Sequence, residues 1–300
     1  MAQLDKFRGC LLGLAVGDAL GTTVEFQPRG SFAPLTDMIG GGPFDLAAGQ
    51  WTDDTSMALC LATSLIKCNG FNALDQMTRY CAWADYGYLS SNGFCFDIGN
   101  TTAGALLRFR QTGDPSAGAI DPRSAGNGSL MRLAPVPMFF FPDIQAAERF
   151  AAESSRTTHA ATECLDACRL LARLLCRALA GASKEEVLLG DSENLRGSKA
   201  LVEIANGAYR DKSEAEIHGS GYVVACLEAA LWCFQRTDNF KDAVLMAANL
   251  GDDADTTAAV CGQVAGAYYG MGQIPASWLA KLALQSKITD LAERLYLHST

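Results

Sequence analysis

Gly251-Asp252-Asp253-Ala254-Asp255-Thr256-Thr257 runs directly into Ala258-Ala-Val-Cys-Gly262-Gln-Val-Ala-Gly266-Ala-Tyr-Tyr-Gly270. Apolar and small residues recur at helical spacing from 256 to 269, so this passage predicts a helix. Gly262, Gly266 and Gly270 stand four residues apart and share a face on which a second backbone can approach closely. Residues 7–20, Phe-Arg-Gly-Cys-Leu-Leu-Gly-Leu-Ala-Val-Gly-Asp-Ala-Leu, form a similar apolar helix with Gly9, Gly13 and Gly17 at the same spacing. Two glycine-faced helices imply a pair packed together at the centre of the fold.

The remainder also reads as helix. Periodic segments are expected at 54–67, 72–85, from near Thr101, then at 145–154, 160–180 (ending at Gly181), 184–189, 197–206, 222–235, 239–249 and 277–297. After Pro142 the only proline is Pro275, and strand-like alternation is absent. Loops rich in glycine, proline or asparagine fall at 28–49, 86–100 and 113–129. The expected fold is all-α: a compact single domain spanning residues 1–300, an orthogonal helical bundle with its chemistry on loops at helix ends.

The acidic start at 251–257 holds three carboxylates and two hydroxyls in seven residues. Such hard oxygen ligands suit Mg2+ or Mn2+. A second cluster, Trp51-Thr52-Asp53-Asp54-Thr55-Ser56, also precedes an apolar helical run, so the two could meet around a shared metal pair. Helix capping is the plainer alternative, but a cap needs only one or two such residues. Three further features stay open. Glu25, between Val24 and Phe26, is a solvated loop residue or a functional acid. Asp97, in Phe94-Cys95-Phe96-Asp97-Ile98-Gly99-Asn100, caps the next helix or is a buried functional acid. Gly126-Asn127-Gly128-Ser129, at an expected helix start, is an anion-binding nest or a plain turn.

Composition narrows the function. With 300 residues and 49% hydrophobic content the chain can bury a large core. A net charge of −9 and the absence of any Lys/Arg run disfavour a nucleic-acid partner. The eleven cysteines are odd in number, include no CxxC and lie mostly in apolar helical patterns, which disfavours disulfides and zinc. Three histidines, His159, His218 and His298, are too few for a His-rich metal site, and His159 has capping or packing as its default role. No apolar run reaches the roughly 18 residues of a membrane span, and Met-Ala-Gln-Leu-Asp-Lys does not resemble a signal peptide, so a cytoplasmic location away from membranes is expected.

In chain order, Gly13-Leu-Ala-Val-Gly17-Asp18-Ala-Leu-Gly21 with Glu25, Thr52-Asp53-Asp54-Thr55, Gly126-Asn127-Gly128 with Met131-Arg132, Thr158-His159 and Gly251-Asp-Asp253-Ala-Asp255-Thr256 resemble the ADP-ribosylglycohydrolases. Asp97-Ile98-Gly99-Asn100 brings the likeness nearest to the bacterial dinitrogenase reductase-activating branch, and the matches run from residue 7 to about 280. The resemblance implies an all-α fold with two Mg2+ or Mn2+ ions at the floor of a cleft. Thr52, Asp53 and Asp54 would hold one side of the pair and Asp253, Asp255 and Thr256 the other. Glu25 would be a further ligand or help to activate water. Asp252 stands where the family often has Gly or Asn and is left out of the ligand set. Asn100, Gly126, Asn127, Gly128 and Ser129 would bind substrate, the last three cradling a diphosphate. His159 would line the ADP-ribose site and Tyr222 would stack against the ligand.

The implied activity is metal-dependent hydrolysis of ADP-ribosyl-arginine on a modified protein, releasing ADP-ribose. Asp97 would serve as the acid or base at the bond cleaved, once its apolar neighbours raise its pKa. Alternatives keep the fold and change the leaving group to serine, a nucleic acid or O-acetyl-ADP-ribose, or give up catalysis for a crystallin-like structural or ADP-ribose-binding role. The complete set of acidic and threonine positions in both metal motifs favours the enzyme.

Overall fold

The computed structural model describes residues 2–189, Leu195 and residues 198–299. Its α-helices are α1 (Ala2–Gly21), α2 (Asp53–Cys68), α3 (Ala73–Tyr86), α4 (Asn100–Thr112), α5 (Pro135–Phe140), α6 (Ile144–Arg156), α7 (Thr162–Ala180), α8 (Lys184–Leu188), α9 (Lys199–Ala205), α10 (Val223–Gln235), α11 (Phe240–Ala248), α12 (Ala254–Tyr269), α13 (Ala276–Lys281) and α14 (Gln285–His298). No strand occurs among the described residues, only isolated bridges. The protein is all-α, as its periodicity requires. No helix among these residues is long and apolar enough to cross a membrane.

The centre is the antiparallel pair α1 and α12. A Cβ placed on Gly9 would fall closer than 3.0 Å to the Gly266 carbonyl, and the same holds for Gly13 against Gly262, Gly17 against Ala258 and Gly21 against Ala254. The obstructing atoms are backbone, so these positions admit no side chain. Both helices are buried on nearly every face, which explains their lack of a polar side. Around them pack α2, α7, α11 and α14 against α1, and α10 and α11 against α12. A smaller apolar cluster of Met57, Cys60, Met77, Tyr80, Trp83, Leu106 and Met131 joins α2, α3 and α4.

Most expected elements form, with shifted ends. The long helix stops at Gly181, whose φ of 87° provides the left-handed cap. The helix expected from residue 197 begins at Lys199; Gly197 lies outside the described residues. Two differences have a physical cause. The segment 277–297 is not one helix, because it breaks at 282–284. There the Ala283 N–H donates to the Gly49 carbonyl at 2.9 Å, and Trp51 Nε1 donates to the Ala283 carbonyl at 3.1 Å. Good helix formers at the break conceal it in the sequence, and tertiary pairing overrides propensity. Conversely, α5 forms despite Pro135 and Pro137, since both sit in the first turn, where an N–H has no helical partner anyway.

All eleven cysteines are free thiols. The close pair yields a test by urea denaturation. Gly266→Ala should cost about 2–3 kcal/mol, because the Gly9 carbonyl can yield only if α1 and α12 separate. Gly104→Ala, in α4 with only Arg108 Nη1 nearby at 3.4 Å, should stabilise by up to about 1 kcal/mol. Equal effects of the two would refute the glycine contact.

Candidate active site

Asp18 is the residue from which the site is built. It lies in α1, is fully buried, and reaches the start of α2. Its carboxylate accepts from the Thr52 N–H (2.8 Å) and hydroxyl (2.9 Å) and from the Thr55 N–H (3.0 Å) and hydroxyl (2.6 Å). Thr52 makes no side-chain cap of its own, so α1 caps α2 in its place. The start of α12 is held against the same point by the Gly21–Ala254 contact. The two acidic helix starts therefore meet. Thr52 Oγ1 lies 3.1 Å from Asp255 Oδ2, and Thr256 Oγ1 donates to Asp54 Oδ1 at 3.3 Å.

Glu25 and Asp97 complete the acidic floor. One carboxylate oxygen each from Glu25, Asp97 and Asp255 lies within 4.8 Å of the others. Glu25 is 3% exposed and so is not a solvated loop residue. The next residue, Phe26, donates its N–H to the Asp252 carbonyl at 2.7 Å, and the Asp252 N–H donates to the Gln27 carbonyl at 2.8 Å. Both Phe26 (φ 62°) and Asp252 (φ 56°) adopt left-handed conformations. Two side-chain-bearing residues thus accept strain to tie the Glu25 loop to the start of α12. Asp97 is likewise left-handed, with φ 58°. It does not cap α4, whose N-cap is Gly99, and its side chain is half-buried at the cleft.

Above this floor a cleft of about 900 Å3 is lined by Glu25, Asp53, Asp97, Asn100, Gly126, Asn127, Gly128, His159, Asp253, Asp255 and Thr256, among others. No lysine or arginine lines it. The loop at 126–129 leads into a turn rather than the expected helix, with the Leu130 N–H donating to the Asn127 carbonyl at 2.7 Å. One α-type bond, from the Met131 N–H to the Asn127 carbonyl at 3.0 Å, forms there and is not continued, and Gly126 itself pairs with Tyr222 in an isolated bridge. The Gly126 and Asn127 N–H groups are already bonded to Ser124 and Gly221, and no acceptor for those of Gly128 and Ser129 occurs among the described residues. Asn127 Nδ2 donates to Asp253 Oδ2 at 2.7 Å, linking this loop to the acidic floor.

His159 is 2% exposed and precedes rather than caps α7, whose N-cap is Ala161. The other expected residues lie elsewhere. Thr52 and Asp54 stand behind the cleft surface. The Ser129 hydroxyl is turned away to bond Ser155 at 2.7 Å. Tyr222 is 42% exposed and outside the lining, where it is the N-cap of α10. Two contributors went unread in the sequence. Asp18 stands in the family motif but with no role assigned to it, and the Phe26–Asp252 tie leaves no signal in composition.

Electrostatics set these acids apart. Burial, opposed by its four hydrogen bonds, raises Asp18 to about 6. Burial and then the charges of Asp18 and Asp253 raise Asp97 to about 7. Burial, followed by Asp97, Asp253 and Asp18, raises Glu25 to about 9. Asp53, Asp54 and Asp255 are pushed well above the carboxylate range, chiefly by burial and then by neighbouring charges, first Asp97 for Asp53, Asp18 for Asp54 and Glu25 for Asp255. Asp54 Oδ2 and Asp255 Oδ1 are buried without any hydrogen-bond partner. A buried acceptor left unpaired is costly, and clustered oxygens of this kind are the donor set that a hard divalent cation takes. The residues present fit such an ion.

The family model for ADP-ribosylglycohydrolase matches residues 1–300. The chain is 47% identical over 293 residues to the ADP-ribosylarginine hydrolase Tri1 of Pseudomonas putida, covering 98% of this chain and 78% of that protein. It is 34% identical over 290 residues to the ADP-ribosyl-dinitrogen reductase glycohydrolase of Rhodospirillum rubrum, covering 94% and 91%. A solved structure titled ADP-ribosylglycohydrolase-related protein complex superposes with a TM-score of 0.87 at 44% identity, covering 99% of both chains. The protein belongs to the ADP-ribosylglycohydrolase family.

Raised acids carry a definite sign. Their contribution to stability is complete below about pH 4, where the unfolded chain is also protonated, and is lost as pH rises through the folded values. Chelator-treated protein should therefore lose melting temperature as pH rises from 5.5 to 8. Added Mg2+ or Mn2+ should restore it, more at pH 8 than at 5.5, because fewer protons compete with the ion. Asp54→Asn should reduce both the slope and the metal increment in differential scanning fluorimetry. A metal increment that ignores pH would count against the carboxylate site.

Proposed function

We propose that the protein removes ADP-ribose from ADP-ribosylated arginine on proteins, releasing free ADP-ribose and the unmodified side chain. The observation that carries this reading is the convergence of Glu25, Asp97 and Asp255 beneath the Gly126–Ser129 loop, in a chain nearly half identical to an ADP-ribosylarginine hydrolase. Residues 1–300 act as one domain, in the cytoplasm, on a protein substrate rather than on nucleic acid or at a membrane.

In this reading the Gly128 and Ser129 N–H groups receive the diphosphate, with Asn127 and His159 beside them and Asn100 also in the lining. The ribose then points down to the acids. Two Mg2+ or Mn2+ ions would be held by Thr52, Asp53 and Asp54 on one side and Asp253, Asp255 and Thr256 on the other. When bound, such ions polarise ribose oxygens and lower the pKa of water. The chain's own part is proton transfer and charge stabilisation. The bond from ribose C1 to the arginine nitrogen breaks through an oxocarbenium-like state, which the surrounding carboxylates favour. Asp97 holds a proton near neutral pH and gives it to the departing nitrogen. Glu25, which the charge of bound ions would hold ionised, receives the proton lost by the attacking water, whose oxygen becomes the C1 hydroxyl. Tyr222 lies at the outer edge, where it meets the substrate only beyond the cleft.

The decisive assay is release of ADP-ribose from arginine-modified protein with Mn2+ or Mg2+, repeated with chelator. Metal-dependent release is expected, and Asp97→Asn should lower kcat by about 10²–10⁴-fold, the worth of one positioned proton donor. Release from serine-linked but not arginine-linked substrate would move the activity to another linkage. No release from any substrate would remove the enzyme reading.

A further inference from the structure

Arg132 is fully buried, yet no carboxylate pairs with it among the described residues. Its guanidinium lies 4.7 Å from the centre of the Tyr80 ring. Nη1 donates to the Gly128 carbonyl at 2.9 Å, and Nη2 donates to the Thr158 hydroxyl at 2.7 Å. A desolvated cation with no counter-charge is expensive. Its placement directly behind the Gly126–Ser129 loop gives that expense a use.

The Thr158 hydroxyl also lies 2.8 Å from His159 Nδ1. Arginine can only donate, so Thr158 Oγ1 accepts from Arg132, and its one proton is left for another acceptor. His159 Nδ1 is the acceptor available to it. The neutral ring then carries its own proton on Nε2, at the edge of the cleft beside Gly126 and Gly128. A Cβ on Gly128 would come within 2.7 Å of His159 Cε1 and 3.1 Å of Nε2, so the loop needs glycine for the ring to stand there. No protein acceptor for Nε2 occurs among the described residues. Burial, and then the charge of Arg132, hold the ring's pKa down at about 3. The thiols Cys164 and Cys168 of α7, which lie behind the loop, are raised by burial and stay neutral.

We propose that Arg132 is a positioning residue which, through Thr158, locks His159 as the neutral Nε2–H tautomer, a fixed hydrogen-bond donor to an anionic oxygen of the ligand on the Gly126–Ser129 loop. The ligand's identity as ADP-ribose rests on the function proposed above; the tautomer lock does not. A histidine left to choose would present a lone pair to the phosphate in half of its neutral forms. With Arg132 and Thr158 behind it, it presents only a donor, at any pH from about 5 upward.

The test is a long-range 1H–15N correlation spectrum of the histidine rings. The chain has three histidines, and His218→Gln and His298→Gln assign the other two. His159 should show a protonated Nε2 and an unprotonated Nδ1, unchanged from pH 5.5 to 8. Thr158→Val should mix the two tautomers and weaken ADP-ribose binding about tenfold by calorimetry, the loss of one hydrogen bond to a charged group. Thr158→Ser should restore both. The wild-type spectrum tests the lock even if Thr158→Val fails to fold. A proton on Nδ1, a His159 titration within that pH range, or an unaltered spectrum in Thr158→Val would overturn the proposal. The expected spectrum without any ADP-ribose binding would uphold the lock and overturn the ligand instead.

Discussion

The backbone contact between α1 and α12 is the constraint on which the site depends. It uses no side chains, so the two helix axes come closer than an ordinary interface allows. Because the helices are antiparallel, the C-terminal end of α1 meets the N-terminal end of α12. Asp18 and Glu25 are thereby delivered to Asp253, Asp255 and Thr256. Asp18 then reaches sideways to cap α2, which adds Thr52, Asp53 and Asp54. Three chain segments, the outer two more than two hundred residues apart, share one point because glycine occupies four successive turns of α1.

That convergence is bought with electrostatic cost. Seven carboxyl groups (Asp18, Glu25, Asp53, Asp54, Asp97, Asp253 and Asp255) lie close together and mostly buried, with no lysine or arginine lining the cleft beside them. The helix N-termini of α2 and α12 offset part of the repulsion, since their positive ends face the same place. The large apolar core around α1 and α12 carries the remainder. Left-handed backbone at Phe26, Asp97 and Asp252 adds local strain in the same small region. Stability is spent where hard cations and a reacting sugar would be held.

Much of this could be read from the sequence, and the reasons are local. The spacing of Gly9, Gly13 and Gly17 and of Gly262 and Gly266 follows helical period, so the central pair was legible before any fold was known. The paired acidic starts at 52–54 and 253–255 exceed what capping requires. Gly181 marks a helix end by the conformation only glycine adopts easily. What escaped depends on partners far away in the chain. Asp18 looks like a flaw in an apolar helix until Thr52 and Thr55 are placed against it. The break at 282–284 is dictated by Gly49 and Trp51, not by its own residues. Ser129 belongs to the diphosphate loop by sequence, yet its hydroxyl is claimed by Ser155, leaving only its N–H for a ligand.

The charged side chains lining the cleft are all acidic, while a buried cation lies behind one of its loops, and a substrate can be weighed against that arrangement. Behind the Gly126–Ser129 loop stands the cation of Arg132, and the floor is built of carboxyl groups, of which Asp253 is joined to the loop through Asn127. ADP-ribosyl-arginine is itself polar in the complementary sense, with an anionic diphosphate at one end and a guanidinium at the other. A serine linkage brings no cation to the floor and gains nothing from its acids, whereas a guanidinium does. The acidic floor of a cleft that no lysine or arginine lines therefore suits a cationic leaving group, an argument for arginine that is independent of the relatives' names.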